Sequence, residues 1–557
     1  MTKPFLLRRR EPAGTHEEIG LTWYEFSRFH PDRFVRRYGI PMAFVATHNH
    51  FILDRGGKVF NRSAPAIRLP EAASEEEHLR LVGLLNSSTA CFWLKQVSHN
   101  KGSSVDQRGA RQTTVEWENF YEFTATKLTD YPLPDGAPVD LATRLDGLAQ
   151  ELGTVTPVAV CESGVPTRHA LDAAHERWQA IRAEMVSAQE ELDWEVYDLY
   201  GLLGDDADAL IGKDVTKPPL QLGERAFEIG LARRMAAGEV ETQWFSRHRS
   251  TPITQLPAHW SPDYRALVER RLVFTAADPY LHLIERPECK RRWQSEPWEK
   301  QESEALANWL LDRLENRRLW FTGDDFPRLR TVAQLADEVR TDPDFGDVAA
   351  LYARDVDITA VVTALVKDQH VPFLAAWRYT DTGMDKRQVW ERTWELQRRE
   401  DAGEHVGTIA VPPKYKQADF RAGSYWRLRG KLDVPKEWFT SYLDASRDGT
   451  LLLGWAGFDH LQRAQALAAY VGERIELDGW AADRLTPLLA GLAELLPWVR
   501  QWHDEPDPAF GQRPADAYQG VLDGWLHALD LTPDDLARWR PPTASRGRRS
   551  RAEPRGR

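Results

Sequence analysis

Between Thr167 and Leu203, the residues Leu171, Ala174, Trp178, Ile181, Met185, Ala188, Leu192, Val196, Leu199 and Leu203 recur at steps of three or four. That is the period of one face of an α-helix. An unbroken stripe of this length makes a helix of roughly 55 Å, at about 1.5 Å rise per residue. Such a helix either packs antiparallel against a partner or spaces two domains, and its stripe needs no role beyond facing a core. Gly201 and Gly204 mark its expected end. A chain of 557 residues exceeds what one hydrophobic core organises, so roughly three or four domains are expected around this helix.

Upstream, PMAFVATHNHFILDRGGKVF at 41–60 reads as a buried strand, a turn at Asp54-Arg55-Gly56-Gly57 and a partner strand. Ser74 followed by Glu77 is a capping-box spacing that opens a helix through Leu79, Val82 and Leu85. Asn86-Ser87-Ser88 breaks that helix, and Ala90 to Val97 continues as a second piece. From Asn100 to Thr114 the chain is polar and reads as an exposed loop. FYEFTATKLTDYPLP then reads as a strand ending at Pro132 and Pro134.

Downstream of 215 the pattern is mostly helical and rich in Trp and Arg, as in SEALANWLLDRLENRRLW and RQVWERTWELQRRE. Val371 to Tyr379, GTIAVPP and GSYWRLRGKLDVP look strand-like. Val332 to Arg340 and the stretch after it could form a small helix-turn-helix, a pairing equally common as plain packing. Lys414 to Phe420, with Tyr425, Trp426 and Arg427, interleaves basic and aromatic residues. That mixture suits nucleic-acid contact or a buried aromatic cluster.

The net charge of −12 argues against a uniformly basic nucleic-acid binder, but it is unevenly spread. Residues 1–130 carry 18 Lys and Arg against 15 Asp and Glu, a net of +3 that leaves −15 for the rest. The first quarter is therefore the better polyanion surface. The tail from Ser545 to Arg557 holds six arginines against one glutamate and is expected to be disordered. Cys91, Cys161 and Cys289 form no CxxC pair, which points away from a zinc cage or a disulfide framework and towards a reducing cytoplasm. No apolar run approaches membrane-spanning length, and the start lacks the order of a secretory signal.

No stretch carries a complete catalytic motif. Methyl transfer to a base amino group needs a proline-stiffened loop that holds an extruded base. Asp278-Pro279-Tyr280 and Asp507-Pro508-Ala509-Phe510 come nearest, but each lacks the second proline. A glycine-rich turn after an N-terminal strand is also missing. His48 and His50 would share one face of an extended strand. A packing role, polar contact to DNA and metal ligation all stay open for the pair, although no further ligand pattern lies near. Ser87, Lys95, His99, Asn100 and Lys101 set hydrogen-bonding and basic side chains close behind a helix break. This arrangement suits phosphate positioning or base reading, or else an ordinary turn with solvated lysines.

Four stretches taken in order, FVATHNHFILDRGGKVFNRSAP, LLNSSTACFWLKQVSHNKG, FYEFTATKLTDYPLP and LDWEVYDLYGLL, resemble the C-terminal recognition portion of the PglX family. These are the adenine-specific DNA methyltransferases of type 2 BREX phage-defence systems. The same order resembles the specificity regions of type IIG restriction-modification enzymes. VPPKYKQADFRAGSYWRLRGKLDVPKEWF resembles the far C-terminal region of PglX, so the likeness spans nearly the whole chain.

The resemblance implies a cytoplasmic α+β, multidomain protein. A mixed α/β target-recognition domain would occupy 1–135, a helical connector 136–215, a helical subdomain 216–325 and an α+β subdomain 326–544, before the basic tail at 545–557. It implies duplex DNA as partner, contacted by His48, Asn49, His50, Lys58, Arg62, Ser87, Lys95, Asn100 and Lys101. It further implies that S-adenosyl-L-methionine and the catalytic loop belong to a domain that precedes Met1 in the family. This chain is then expected to hold no cofactor, metal or catalytic residue, and to be either a truncated or split gene product or a subunit that works with a separately encoded methylase, with other defence proteins as further partners. The alternatives are a protein-interaction scaffold without catalysis and a cryptic metal-dependent nuclease. No clustered Asp, Glu, Lys pattern supports the nuclease.

Overall fold

The fold is that of a computed structural model, which describes residues 7, 10, 11, 14–22, 25, 37–60, 63–103, 115–429, 436–506 and 511–542. The architecture is mixed α+β, divided into one compact unit of Arg28–Glu302 and another of Met1–Ser27 with Ser303–Arg557. The divisions expected at 135 and 215 fall inside the first unit.

In the Arg28–Glu302 unit, β1 (Ile40–Pro41) pairs antiparallel with β3 (Ala66–Ile67). A three-stranded antiparallel sheet has the order β2 (Val45–Ala46), β5 (Phe120–Glu122), β4 (His99–Gly102), which leaves β4 at an edge. The reversal expected at Asp54–Gly57 lies earlier. Gly39 bridges Asp54 and Met42 bridges Phe51, so the chain turns back between 43 and 50, and 58–60 forms no partner strand. The apolar side chains of Met42, Phe51 and Leu53 are all buried together, and the earlier reversal brings them to one core. FYEFTATKLTDYPLP is a strand only over Phe120–Glu122. A short helix at Ala125–Leu128 follows it.

The helical expectations hold closely here. Helix α1 (Glu75–Leu85) begins at Ser74 with both reciprocal bonds of the capping box to Glu77. Ser87 caps α2 (Ser88–Val97) by accepting from the Ala90 amide. Leu79, Val82, Leu85, Ala90 and Leu94 of these helices pack with Phe123 in a single core. After α3 (Val139–Thr154), Thr167 caps α4 (Arg168–Leu199), which ends just before Gly201 at φ +69°. Of the predicted stripe, Leu171 through Val196 is buried. The helix packs against α3 through Ile181, Met185 and Leu148. Its C-terminal half is enclosed more completely than a stripe requires, because Gln189, Glu190 and Asp193 are buried too. Helices α5 (Ala226–Ala236) and α6 (Pro262–Ala277) cover it through Ile229, Tyr264 and Leu267.

In the other unit, a sheet of order β6 (Arg330–Thr331), β9 (Leu452–Trp455), β8 (Phe439–Tyr442), β7 (His370–Pro372) is antiparallel except for the β7–β8 pair. Three helices follow β6: α7 (Val332–Val339), α8 (Pro343–Tyr352) and α9 (Ile358–Val366). The strand expected over Val371–Tyr379 stops at Pro372 and becomes a short helix, Ala375–Arg378. GTIAVPP has no regular structure, and Gly423–Arg429 is helical. Tyr415 stacks on Tyr379 and Phe420 is buried, so the Lys414–Phe420 stretch forms an aromatic cluster. Beyond lie α10 (Asp381–Asp401), α11 (His460–Asp478), α12 (Ala482–Trp502), α13 (Pro514–Ala528) and α14 (Pro533–Arg538). No described helix is long and apolar enough to cross a membrane. The tail at 545–557 lies outside the described residues.

Candidate nucleic-acid interface

Three of the residues expected to face DNA are sealed inside the Arg28–Glu302 unit. His48, Asn49 and Ser87 are 2%, 0% and 0% exposed. The polar atoms of Asn49 and Ser87 serve the break between α1 and α2, where a helix end leaves carbonyls without intrahelical donors, and those of His48 meet backbone carbonyls elsewhere. Asn49 Nδ2 donates to the carbonyls of Leu85 at 2.6 Å and Ser87 at 3.2 Å. The Ser87 hydroxyl donates to Leu84 O at 2.7 Å. Asn86 exchanges two bonds with the Phe51 backbone, at 2.8 and 3.1 Å. Nε2 of His48 lies 2.9 Å from the Cys289 carbonyl, and Nδ1 lies 3.0 Å from that of Asn49. Burial and then the nearby Lys95 charge hold the His48 pKa well below the usual imidazole value. Assigning these three to DNA contact is thus corrected: buried backbone carbonyls, those of the helix break for Asn49 and Ser87 and those of Asn49 and Cys289 for His48, claim them first.

The remaining candidates divide. His50, Lys58, Asn100 and Lys101 are exposed and Lys95 is half-buried, while Arg62 lies outside the described residues. The sheet draws Lys95, Asn100 and Lys101 together around a residue the sequence reading did not select, Tyr121. In the ladder Tyr121 sits between Ala46 and Asn100, and Glu122 between Val45 and His99. Asn100 Nδ2 lies 3.5 Å from the Tyr121 hydroxyl, and the Lys95 ammonium lies 5.2 Å from the centre of its ring. Lys101 pairs with Glu122. The edge strand β4 thereby presents His99, Asn100 and Lys101 to solvent in a row. Lys58, just past the Gly56–Gly57 turn, belongs to no regular element.

A second basic group comes from a segment about 240 residues away in sequence. The Arg292 guanidinium reaches the Thr47 hydroxyl, and Arg291 Nη1 lies 3.4 Å from Asn86 Oδ1. His50 shares this neighbourhood. Desolvation by the surrounding protein, followed by the charges of Arg291 and Arg292, lowers its pKa to about 4. The only sequence signal was the run Lys290-Arg291-Arg292, and nothing local tied it to residue 47.

Lys290 itself turns inward. Its ammonium lies 2.7 Å from Glu285, 2.9 Å from Asp193 and 3.6 Å from Glu190, all in side chains no more than 2% exposed. Asp193 also accepts from the Ser88 amide at 2.8 Å and from its hydroxyl at 2.6 Å. The Tyr197 hydroxyl donates to Glu285. Three carboxylates around one ammonium cannot all ionise cheaply. Burial raises the Glu190 pKa against the pull of Lys290, and the neighbouring carboxylates add to the rise. The cluster fixes the 285–292 segment to α4 and α2, and so sets where Arg291 and Arg292 emerge.

The two stretches nearest a methyl-transfer loop divide: Asp507-Pro508-Ala509-Phe510 lies outside the described residues, and Asp278-Pro279-Tyr280 lies within them. The one parallel strand pair among the described residues, β7 with β8, leads from Pro372 into Ala375–Arg378 without a glycine-rich turn. Asp278, the nearest approach to a catalytic loop, caps the helix Pro279–Ile284 through the amides of Tyr280 and Leu281. Among the described residues no His, Cys, Asp and Glu group could hold a metal ion.

The family described as Domain of unknown function (DUF7008) is matched over residues 185–550. The chain is also 48% identical over 550 residues to the adenine-specific methyltransferase PglX of Streptomyces coelicolor. That alignment covers 97% of this chain and 45% of the relative, so the chain spans a little under half the length of the protein it matches. No solved structure matches it.

Proposed function

The chain belongs to the DUF7008 family, and on that footing we propose that it recognises duplex DNA for an adenine-specific methyltransferase activity whose chemistry resides outside its own residues. The observation that carries this reading is the edge strand β4. Asn100 and Lys101 stand exposed on a sheet whose core is rigidly packed, in a chain aligned over 97% of its length with a protein named as an adenine-specific methyltransferase. Lys95 and Lys101 would meet phosphates, and Asn100 has the amide that reads adenine edges in the major groove. Arg291 and Arg292 would extend the positive surface, beside the neutral His50. Base modification requires extrusion of the target, which costs a few kcal/mol, and groove and phosphate contacts compensate for it.

S-adenosyl-L-methionine would be held elsewhere in the enzyme, and it supplies the methyl group there. Other proteins of a phage-defence system are further candidate partners. A fluorescence-anisotropy titration of labelled duplex with the purified chain tests the reading. Binding should be tight at low salt and fall linearly in log K against log salt. The absence of duplex binding at low salt would sink it. Transfer of labelled methyl groups to DNA by the chain alone would refute the division of labour.

A scaffold role is the second reading, for which Leu477 and Trp502, 72% and 63% exposed at opposite ends of the α11–α12 pair, offer two separate apolar contacts. Partner capture from nuclease-treated extract that is lost on Leu477→Ser and Trp502→Ser, with duplex binding absent, would select that reading.

A further inference from the structure

The unit containing Ser303–Arg557 holds a cleft of about 1150 Å³ whose chemistry differs from that of the chain around it. Helix α10 forms one wall, α12 the other, and β8 contributes Thr440 and Tyr442 at depth. Along α10, Arg387, Trp390, Trp394 and Arg398 follow one another at steps of three and four, so a single helical face supplies them. Eight arginines line the cleft against four carboxylates, in a chain whose net charge is −12. Arg387 already engages two of those carboxylates, Glu494 at 2.6 Å and Glu391 at 2.7 Å.

Two polar groups of the cleft lining lack partners. Thr440 is 3% exposed, and its hydroxyl oxygen has no hydrogen-bond partner among the described residues. The same holds for Nε of Arg378. Buried polar groups are almost always satisfied, so an unsatisfied pair on a cavity wall marks a place for a ligand or solvent. Desolvation and the nearby Arg429 lower the Arg378 pKa to about 10, a strain on the cation that a bound anion would relieve. Nearer solvent the wall is aromatic. Trp394 is 42% exposed and meets Trp498 edge-on at 6.4 Å. His460 stacks on Trp498 at 5.7 Å, and the Arg398 guanidinium lies 5.9 Å from the same ring.

We infer that this cleft binds a nucleoside phosphate, with the phosphate at Arg378 and Thr440 and the base against Trp394 and Trp498. A simple oxyanion would use the deep end and leave the aromatic wall idle. An arginine fork and a hydroxyl on one cleft lining suit a tetrahedral phosphate, and flat indole rings suit a base of any sequence. The site is independent of the duplex-binding reading, since none of its residues belongs to Arg28–Glu302. Two sources share the ligand chemistry: a free nucleotide and a nucleotide within a single strand.

Calorimetric titration of the full chain with inorganic phosphate, AMP and a short single-stranded oligodeoxyadenylate tests the assignment. Arg378→Gln removes the cation assigned to the phosphate and Trp394→Ala an exposed ring assigned to the base, and unchanged thermal unfolding verifies that both variants fold. AMP should bind more tightly than phosphate, and each variant should weaken it by about fivefold or more, as loss of a base–aromatic stack or a phosphate-facing charge does. Tighter binding of the oligonucleotide than of AMP would identify a strand as the source, and the reverse a free nucleotide. No heat with either nucleotide, phosphate binding as tightly as AMP, or either variant matching the unmodified chain would overturn the assignment.

Discussion

The ammonium of Lys290 lies 2.9 Å from Asp193 on α4, and both side chains are 1% exposed. The pair closes a buried network that also includes Glu190 and Glu285. An ion pair out of water gains little over an apolar substitute, but removing one partner strands the other in a medium that cannot solvate it. Lys290→Met should therefore lower the unfolding free energy by about 3–5 kcal/mol, read from urea denaturation. A loss below about 1 kcal/mol, the range of surface ion pairs, would show that the carboxylates there are satisfied without the ammonium.

His48 sets a pH dependence of known sign. Burial, followed by the Lys95 charge, depresses its folded pKa far below the 6.5 of the free side chain. Below pH 6.5 the unfolded chain binds a proton that the folded chain refuses. The contribution is thus intact above pH 6.5 and is lost progressively as pH falls. His50, depressed to about 4, acts in the same direction. The Glu228 carboxyl is held below its ordinary range: burial alone would raise its pKa, but Arg225 and Trp244 outweigh it. The melting temperature should fall between pH 6.5 and 5, and His48→Gln, which keeps a donor for the Cys289 carbonyl, should shallow that fall. Parallel profiles for the two proteins would remove His48 from the account.

Asn49 separates a structural role from a recognition role. Its amide holds the carbonyls of Leu85 and Ser87 where α1 gives way to α2. Asn49→Ala leaves both without that donor and should cost about 1–3 kcal/mol of stability. At a temperature where the variant is folded, its affinity for duplex DNA should equal that of the unmodified chain. Weakened binding without lost stability would return Asn49 to the interface.

What the sequence disclosed follows from the range over which its signals act. The capping box of Ser74 with Glu77, the break at Asn86-Ser87-Ser88 and the α4 stripe are local, since each is set by residues within a few positions. The hairpin was misplaced because Gly56 and Gly57 do form a turn, with φ of +95° and +79°, yet pairing is decided by which apolar side chains reach the core. Periodicity also conceals the second role of α4. Glu190 and Asp193 lie off its apolar stripe, and nothing nearby in sequence marks them for burial, because Lys290 arrives from a segment about a hundred residues later. The interface was legible in part for the same reason. A polar residue in the sequence carries no mark of whether a buried carbonyl or the solvent will claim it, and Ser87 and Asn100 went opposite ways.

Lys101 and Glu122 make the proposed interface directly testable. The two side chains pair across neighbouring strands, with relative exposures of 43% and 23%, so the bond adds little to stability. Its larger effect is on the field at the β4 edge, where Glu122 offsets the charge that would meet a phosphate. Lys101→Gln should weaken duplex binding and reduce the salt slope by about 0.9, the value for one lost phosphate contact. Glu122→Gln should strengthen binding, because it frees the ammonium and removes a repelling carboxylate beside it. Opposite shifts from two substitutions that each remove one charge cannot arise from a common loss of folding. If both variants bind with the affinity and salt slope of the unmodified chain, β4 does not face DNA, and the duplex surface must be sought around His50, Arg291 and Arg292.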